Sequence, residues 1–141
     1  MKFGLIDGIK SVATKGAKGY CPSCGAELIA RCGDIKMNHW AHKGKRMCDV
    51  WWENETEWHR TWKNNFPIEW QEIIHFDEKT GEKHIADTKT TEGWVLEFQH
   101  SSIKQEEMQS INNFYKKIIW VIDGVRRKRD KKQLDKKIEH A

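Results

Sequence analysis

Two carboxylates, Asp87 and Glu97, sit where a tight turn would set them face to face. Residues 84–99 read as two short strands. Ile85, Asp87 and Lys89 alternate along one side of the first, and Trp94, Leu96 and Phe98 form an apolar side of the second. With Thr91-Glu92-Gly93 as the loop and Gly93 in the left-handed conformation, Thr90 pairs with Trp94, and counting back puts Asp87 opposite Glu97. Such neighbours stand about 4.5–5.5 Å apart, and like charges there repel each other. Two chemistries resolve the repulsion: a bound metal ion, or a cationic side chain such as Lys89, two residues beyond Asp87.

A second set of chemically capable residues lies upstream. All four cysteines fall between residues 21 and 48. Cys21-Pro-Ser-Cys24-Gly25 is a loop that presents two thiolates to one ion, and the run His39-Trp-Ala-His42 ends in Cys48. Tetrahedral zinc takes four nitrogen or sulfur ligands, and a Cys-x2-Cys pair followed by a His/Cys pair supplies them. Cys21, Cys24, His42 and Cys48 are the expected set, with His39 as the competitor to His42, while Cys32 is expected to be a spectator. A closed four-ligand set is structural, with no open position for catalysis. The alternative is a group of buried thiols and surface histidines.

The elements around these residues follow from periodicity. Residues 3–14 suggest one or two short strands, and residues 27–31 and 35–39 a hairpin around Cys32-Gly33-Asp34. Residues 50–66 predict a helix ended by Pro67, with Trp51, Glu55, Trp58, Trp62 and Phe66 on one face. Glu55 is a carboxylate inside an aromatic stripe. It is either paired within the helix to His59 or aimed at the same site as Asp87 and Glu97, and Lys63 lies further along. A strand over 68–76 comes next. After the hairpin, Ser102 offers cap chemistry for a helix over 103–115, and 117–123 is an apolar run expected to be a strand buried on both faces.

The chain of 141 residues carries a formal charge of +4, eight tryptophans and 38% hydrophobic residues, which suits a modest core and permits a nucleic-acid partner. No run of about 18 apolar residues exists to span a membrane, and no signal-peptide pattern opens the chain, so a cytoplasmic setting with reduced thiols is expected. Residues 126–137 hold eight Lys/Arg, either a solvated tail or a phosphate-contacting arm. The expected organisation is a β-rich zinc module over 1–49, a core over 50–124 and a basic tail over 125–141.

The order helix, three strands, helix, strand, with Glu55 on the helix, Asp87 on the second strand and Glu97-x-Gln99 on the third, resembles the PD-(D/E)XK nucleases. Three details are similar to the competence protein CoiA family: Cys21-Pro-Ser-Cys24 … His39-Trp-Ala-His42 … Cys48, the helix motif Glu55-Thr56-x-x-His59-x-x-x-Lys63, and Ala86-Asp87 … Glu97-Phe98-Gln99-x-Ser101. The likeness covers roughly residues 20–123. It implies an α+β or α/β fold, a zinc module followed by a restriction-endonuclease-like αβββαβ core, and a nuclease that hydrolyses DNA phosphodiesters. Asp87 and Glu97 would hold one or two Mg²⁺ or Mn²⁺ beside the Phe98 carbonyl, and Glu55 would complete the acidic set. Gln99 stands in the place of the usual lysine, where it would orient water or a phosphate oxygen. It carries no positive charge, so His59 or Lys63 would share that task. The chain departs from the family in its length and in residues 104–115, where Gln109, Asn112 and Asn113 stand in place of an expected arginine. The alternatives are a catalytically silent nuclease-like protein that binds nucleic acid or a protein partner, and a zinc-bearing structural module in which Asp87, Lys89 and Glu97 form only an ion-pair cluster.

Overall fold

The computed structural model describes residues 1–34, 37–46, 48–49, 51 and 54–124. The 126–137 basic run therefore lies outside the described residues, as do residues 35 and 36 of the expected hairpin and 50, 52 and 53 of the expected helix.

The first half is an antiparallel sheet of β1 (Phe3–Ile6), β2 (Ile9–Val12), β3 (Lys18–Tyr20), β4 (Glu27–Arg31) and β5 (His39–His42), in the order β2-β1-β3-β4-β5. Asp7 and Gly8 close the first hairpin at φ of 50° and 76°, the mirror-image turn whose twist matches that of the strands. Trp40 is the pivot of this layer: it is 1% exposed, packs with Leu28, Ala13 and Cys21, and donates its indole N–H to the Ser11 carbonyl at 3.0 Å. Gly4 and Gly19 make room for it. A Cβ on Gly4 would come within 2.9 Å of Leu28 Cδ1 and 3.1 Å of the Trp40 ring, and one on Gly19 within 3.0 Å of the Leu5 carbonyl.

The second half is a mixed sheet of β6 (Gln71–Phe76), β7 (Lys83–Lys89), β8 (Val95–Gln99) and β9 (Ile118–Ile122), in that order, flanked by α1 (Glu57–Lys63) and α2 (Gln105–Tyr115). β6, β7 and β8 are antiparallel neighbours, while β8 and β9 run parallel because α2 carries the chain back between them. Val95 packs with Ile111, Phe114 and Tyr115 of α2, whereas Phe98 stacks on Trp62 and Phe66 at 5.8 and 6.1 Å. Residues three apart on a strand point to opposite faces, so α1 and α2 cover the two sides of the sheet. The molecule is thus mixed α+β: an N-terminal sheet, then a second sheet with two helices. No helix among the described residues is long and apolar enough to cross a membrane.

Several expectations need correction. The helix over 50–66 is only α1, because the Thr56 hydroxyl accepts the His59 amide while the His59 ring accepts the Thr56 amide, and this reciprocal cap starts the helix there. Trp51 leaves the supposed stripe and stacks on His84 instead, with ring centroids 3.5 Å apart. β5 begins at His39, where the run 35–39 was expected to pair. A 3-10 turn at Ile68–Trp70 precedes β6. The N-cap of α2 is Lys104, with no side-chain cap bond, in place of Ser102. β9 is not buried on both faces: it is the sheet edge, with Ile119 and Ile122 48% and 58% exposed. In β8 the buried residues are Val95 and Phe98, and Trp94 of the expected apolar side is 40% exposed.

Candidate functional site

The β7–β8 hairpin closes as its sequence requires. Gly93 takes φ of 89°, Thr90 N–H donates to the Trp94 carbonyl at 2.8 Å, and the register pairs Lys89 with Val95 and Thr88 with Leu96. Continued by one residue, that register sets Asp87 against Glu97. Asp87 Oδ2 accepts the Phe98 amide at 2.9 Å. Burial and the Asp87 carboxylate push the Glu97 carboxyl well above its ordinary range. Burial likewise raises Asp87, against the pull of Lys63. Two acids in this relation cannot both ionise without a cation between or beside them.

Lys89 is not that cation. Its ammonium lies 3.0 Å from His75 Nδ1. The cation nearest the pair in effect is Lys63, 3% exposed, whose Nζ stands 3.2 Å from Glu55 Oε2 and 3.4 Å from Glu72 Oε2. Burial alone would lower the lysine, but Glu72, Glu55 and Asp87 outweigh it and hold its pKa above the usual value. Glu55 in turn receives Arg60 Nε at 2.5 Å and lies 3.8 Å from the amine of Met1. Burial opposes its ionisation, yet Lys63 and Arg60 bring it down to about 2.

A cavity of about 420 Å³ collects these groups: Glu55, His59, Lys63, Asp87, Glu97 and Gln99 all line it. Glu55 precedes α1 and is paired with Arg60 and Lys63, not with His59 as the intrahelical alternative had it. His59 is 3% exposed and spends its Nδ1 on Thr56. Gln99 donates its side-chain N–H to the Ser101 carbonyl at 2.7 Å. The Phe98 side chain turns away to Trp62 of α1 and to Phe66 beyond it.

Among the lining residues that sequence reasoning missed are Asp49, Glu72 and Tyr115. Glu72 adopts φ of 49°, an uncommon conformation for a residue with a side chain. It accepts the Lys2 amide at 2.9 Å as well as the Lys63 ammonium, so it ties β1 to the site. Only its place in a strand before the hairpin hinted at this. Asp49 follows Cys48 directly, which was the available signal.

The second site is a compact cluster. The ligand atoms of Cys21, Cys24, His42 and Cys48 all lie within 4.8 Å of one another. Cys21 Sγ and Cys48 Sγ are 3.9 Å apart, and His42 Nε2 is 3.6 Å from Cys24 Sγ and 3.7 Å from Cys48 Sγ. A zinc tetrahedron with usual bond lengths has edges of about 3.8 Å between sulfurs and about 3.6 Å between sulfur and nitrogen. The cluster fits that size, so these residues could hold a zinc ion. The knuckle is shaped by Gly25 at φ of 73°, whose amide donates to the Cys21 carbonyl at 2.9 Å. Burial and the neighbouring Cys21 push the Cys48 thiol up to about 11, against the opposing pull of Arg46. His39 is not at the cluster, its Nδ1 lying 3.0 Å from the Met37 carbonyl, and Cys32 packs against the Trp40 core.

No curated protein and no solved structure matches the chain. Residues 8–51 match the family model of competence protein CoiA, N-terminal domain. That stretch contains all four cluster residues, and it stops short of Glu55, Asp87 and Glu97. Over residues 8–51, the chain is therefore similar to the N-terminal domain of competence protein CoiA.

Proposed function

We propose that the chain is a Mg²⁺- or Mn²⁺-dependent nuclease of restriction-endonuclease-like fold that cleaves DNA, with a structural zinc at Cys21, Cys24, His42 and Cys48. The observation that carries the reading is the cavity in which Asp87 and Glu97 face each other beside a buried lysine and Gln99. Opposed, partly buried carboxylates without a neutralising Lys89 are the donor set a hard divalent cation takes. Asp87 and Glu97 would hold it, with the Phe98 carbonyl as a third oxygen. When bound, such a metal neutralises charge on the phosphate and makes a bound water more acidic.

The chain's own residues supply the rest. Glu55 and Glu72 fix the Lys63 ammonium beside Asp87, where its charge would favour an anionic phosphate. This offers the positive charge that Gln99 lacks. Gln99, held by Ser101, would orient the attacking water. The water oxygen bonds to phosphorus and gives up a proton to solvent, and the bond from phosphorus to the leaving sugar oxygen breaks, that oxygen taking a proton from solvent to end as a hydroxyl. His59 serves by capping α1 so that Lys63 points inward. The likeness over residues 8–51 gives this cleavage a competence-related setting.

Gln99 also favours a second reading, a silent nuclease-like protein that binds DNA or a protein partner. The test is cleavage of single-stranded, duplex and branched DNA with Mg²⁺ or Mn²⁺, by the wild type and Asp87→Ala. Metal-dependent cutting lost in Asp87→Ala supports the nuclease. Binding without cutting, unchanged by EDTA and by Glu97→Ala, selects the second reading.

A further inference from the structure

The two candidate metal sites are joined by one side chain. Asp49 follows the cluster residue Cys48 directly and is 6% exposed. Its Oδ1 accepts the Trp51 amide at 2.9 Å and His84 Nδ1–H at 2.8 Å, while Oδ2 lies 3.4 Å from the Ile85 amide. His84 and Ile85 belong to β7, three and two residues before Asp87. The grip is reinforced on every side: Trp51 stacks on the His84 ring with 16° between planes, Phe114 of α2 meets that ring edge-on at 4.7 Å, and His84 Nε2 donates to Glu82 Oε1 at 2.8 Å. The β7–β8 ladder, by contrast, pairs only Thr88 and Lys89 of β7. The part of β7 leading to Asp87 is thus paired with β6 on one flank, and Asp49 is one of the groups that hold it from outside the sheet.

We propose that Asp49 is a positioning residue that transmits occupancy of the Cys/His cluster to β7, so that zinc loading rigidifies the strand segment carrying Asp87. Fixing Cys48 in a tetrahedron fixes the main chain at Asp49. A buried carboxylate accepting three N–H groups has one narrow range of positions in which all are satisfied. Without the ion, Cys48 is released and those bonds loosen together. That zinc governs the geometry of the second, acidic site rests on the metal reading of Asp87 and Glu97 given above. The rigidity of β7 does not.

The experiment is amide hydrogen exchange on the full chain, zinc-loaded as verified by elemental analysis and after chelation, for wild type, Asp49→Ala and Asp49→Asn. Mn²⁺-induced shifts in melting temperature are read on the same samples. Zinc removal from the wild type should speed exchange across residues 84–87 about tenfold, the loss expected from one or two hydrogen bonds, while the α2 amides keep their protection. Asp49→Ala should show that faster exchange with zinc present and gain little more on chelation. Asp49→Asn, which keeps an acceptor oxygen, should fall between. Unchanged exchange at 84–87 after zinc removal overturns the proposal, as does loss of protection in α2 and β6 in step with β7, or a cluster that binds no zinc. If the exchange pattern appears but Mn²⁺ does not raise the wild-type melting temperature, the coupling stands and the divalent-metal reading of Asp87 and Glu97 fails.

Discussion

Glu55 was legible as a carboxylate out of place in an aromatic stretch, but its partners were not, because they are set by where α1 begins. Its pKa falls from 4.5 to about 2. A depressed carboxylate contributes stability above its unfolded pKa, and that stability is lost as pH falls from about 4.5 through about 2. With a side chain 7% exposed, the shift corresponds to about 3 kcal/mol. Glu55→Gln should therefore lower unfolding free energy by that order at pH 7, and the difference from wild type should shrink towards zero near pH 2 in denaturant titrations. Glu97 has the opposite sign. Its raised pKa means that the folded, metal-free protein resists ionising it, so stability falls as pH rises above the unfolded carboxylate range. Glu97→Gln should raise the metal-free melting temperature at pH 7 and abolish any gain from Mn²⁺, measured by thermal denaturation. At the cluster, Cys24→Ser and His42→Ala should lose zinc in elemental analysis, while His39→Ala keeps it. Spacing alone left the two histidines open, since both lie on β5. The fold of the chain brings only His42 to the thiols.

At the scale of elements, the turns were the most readable features. Gly93 fixed the β7–β8 register, and with it the opposition of Asp87 and Glu97, because a left-handed turn position leaves few ways to pair the flanking strands. Helix length was the least readable. Trp51 to Phe66 carries a helical repeat, yet the Thr56–His59 cap outcompetes its N-terminal part. Thr56→Ala should cost about 1 kcal/mol in denaturant unfolding and weaken the placement of Lys63 one turn beyond His59. β9 reads as a core strand from its unbroken apolar run, but nothing in the run says that it ends a sheet. Its exposure is a property of strand order, which periodicity does not encode.

At the scale of the whole molecule, the N-terminal sheet and the second sheet meet through polar contacts: the Lys2 amide on Glu72, the Lys2 ammonium on Gln71 Oε1 at 2.6 Å, Lys10 on the Gln71 carbonyl, and Asp49 on His84. These long-range pairs had no local signature, so the sequence separated two modules without showing how they fit. Their joint product is the cavity that gathers Asp87, Glu97 and Lys63. The most direct test of its proposed role is cleavage of DNA by purified chain with Mn²⁺ or Mg²⁺, wild type beside Asp87→Ala. Our account predicts metal-dependent strand breaks by the wild type and at least a hundredfold loss in the variant, on the order of what removing a charge-stabilising group costs a catalyst. Equal rates for the two proteins, or no cleavage by either under any divalent metal, would contradict it.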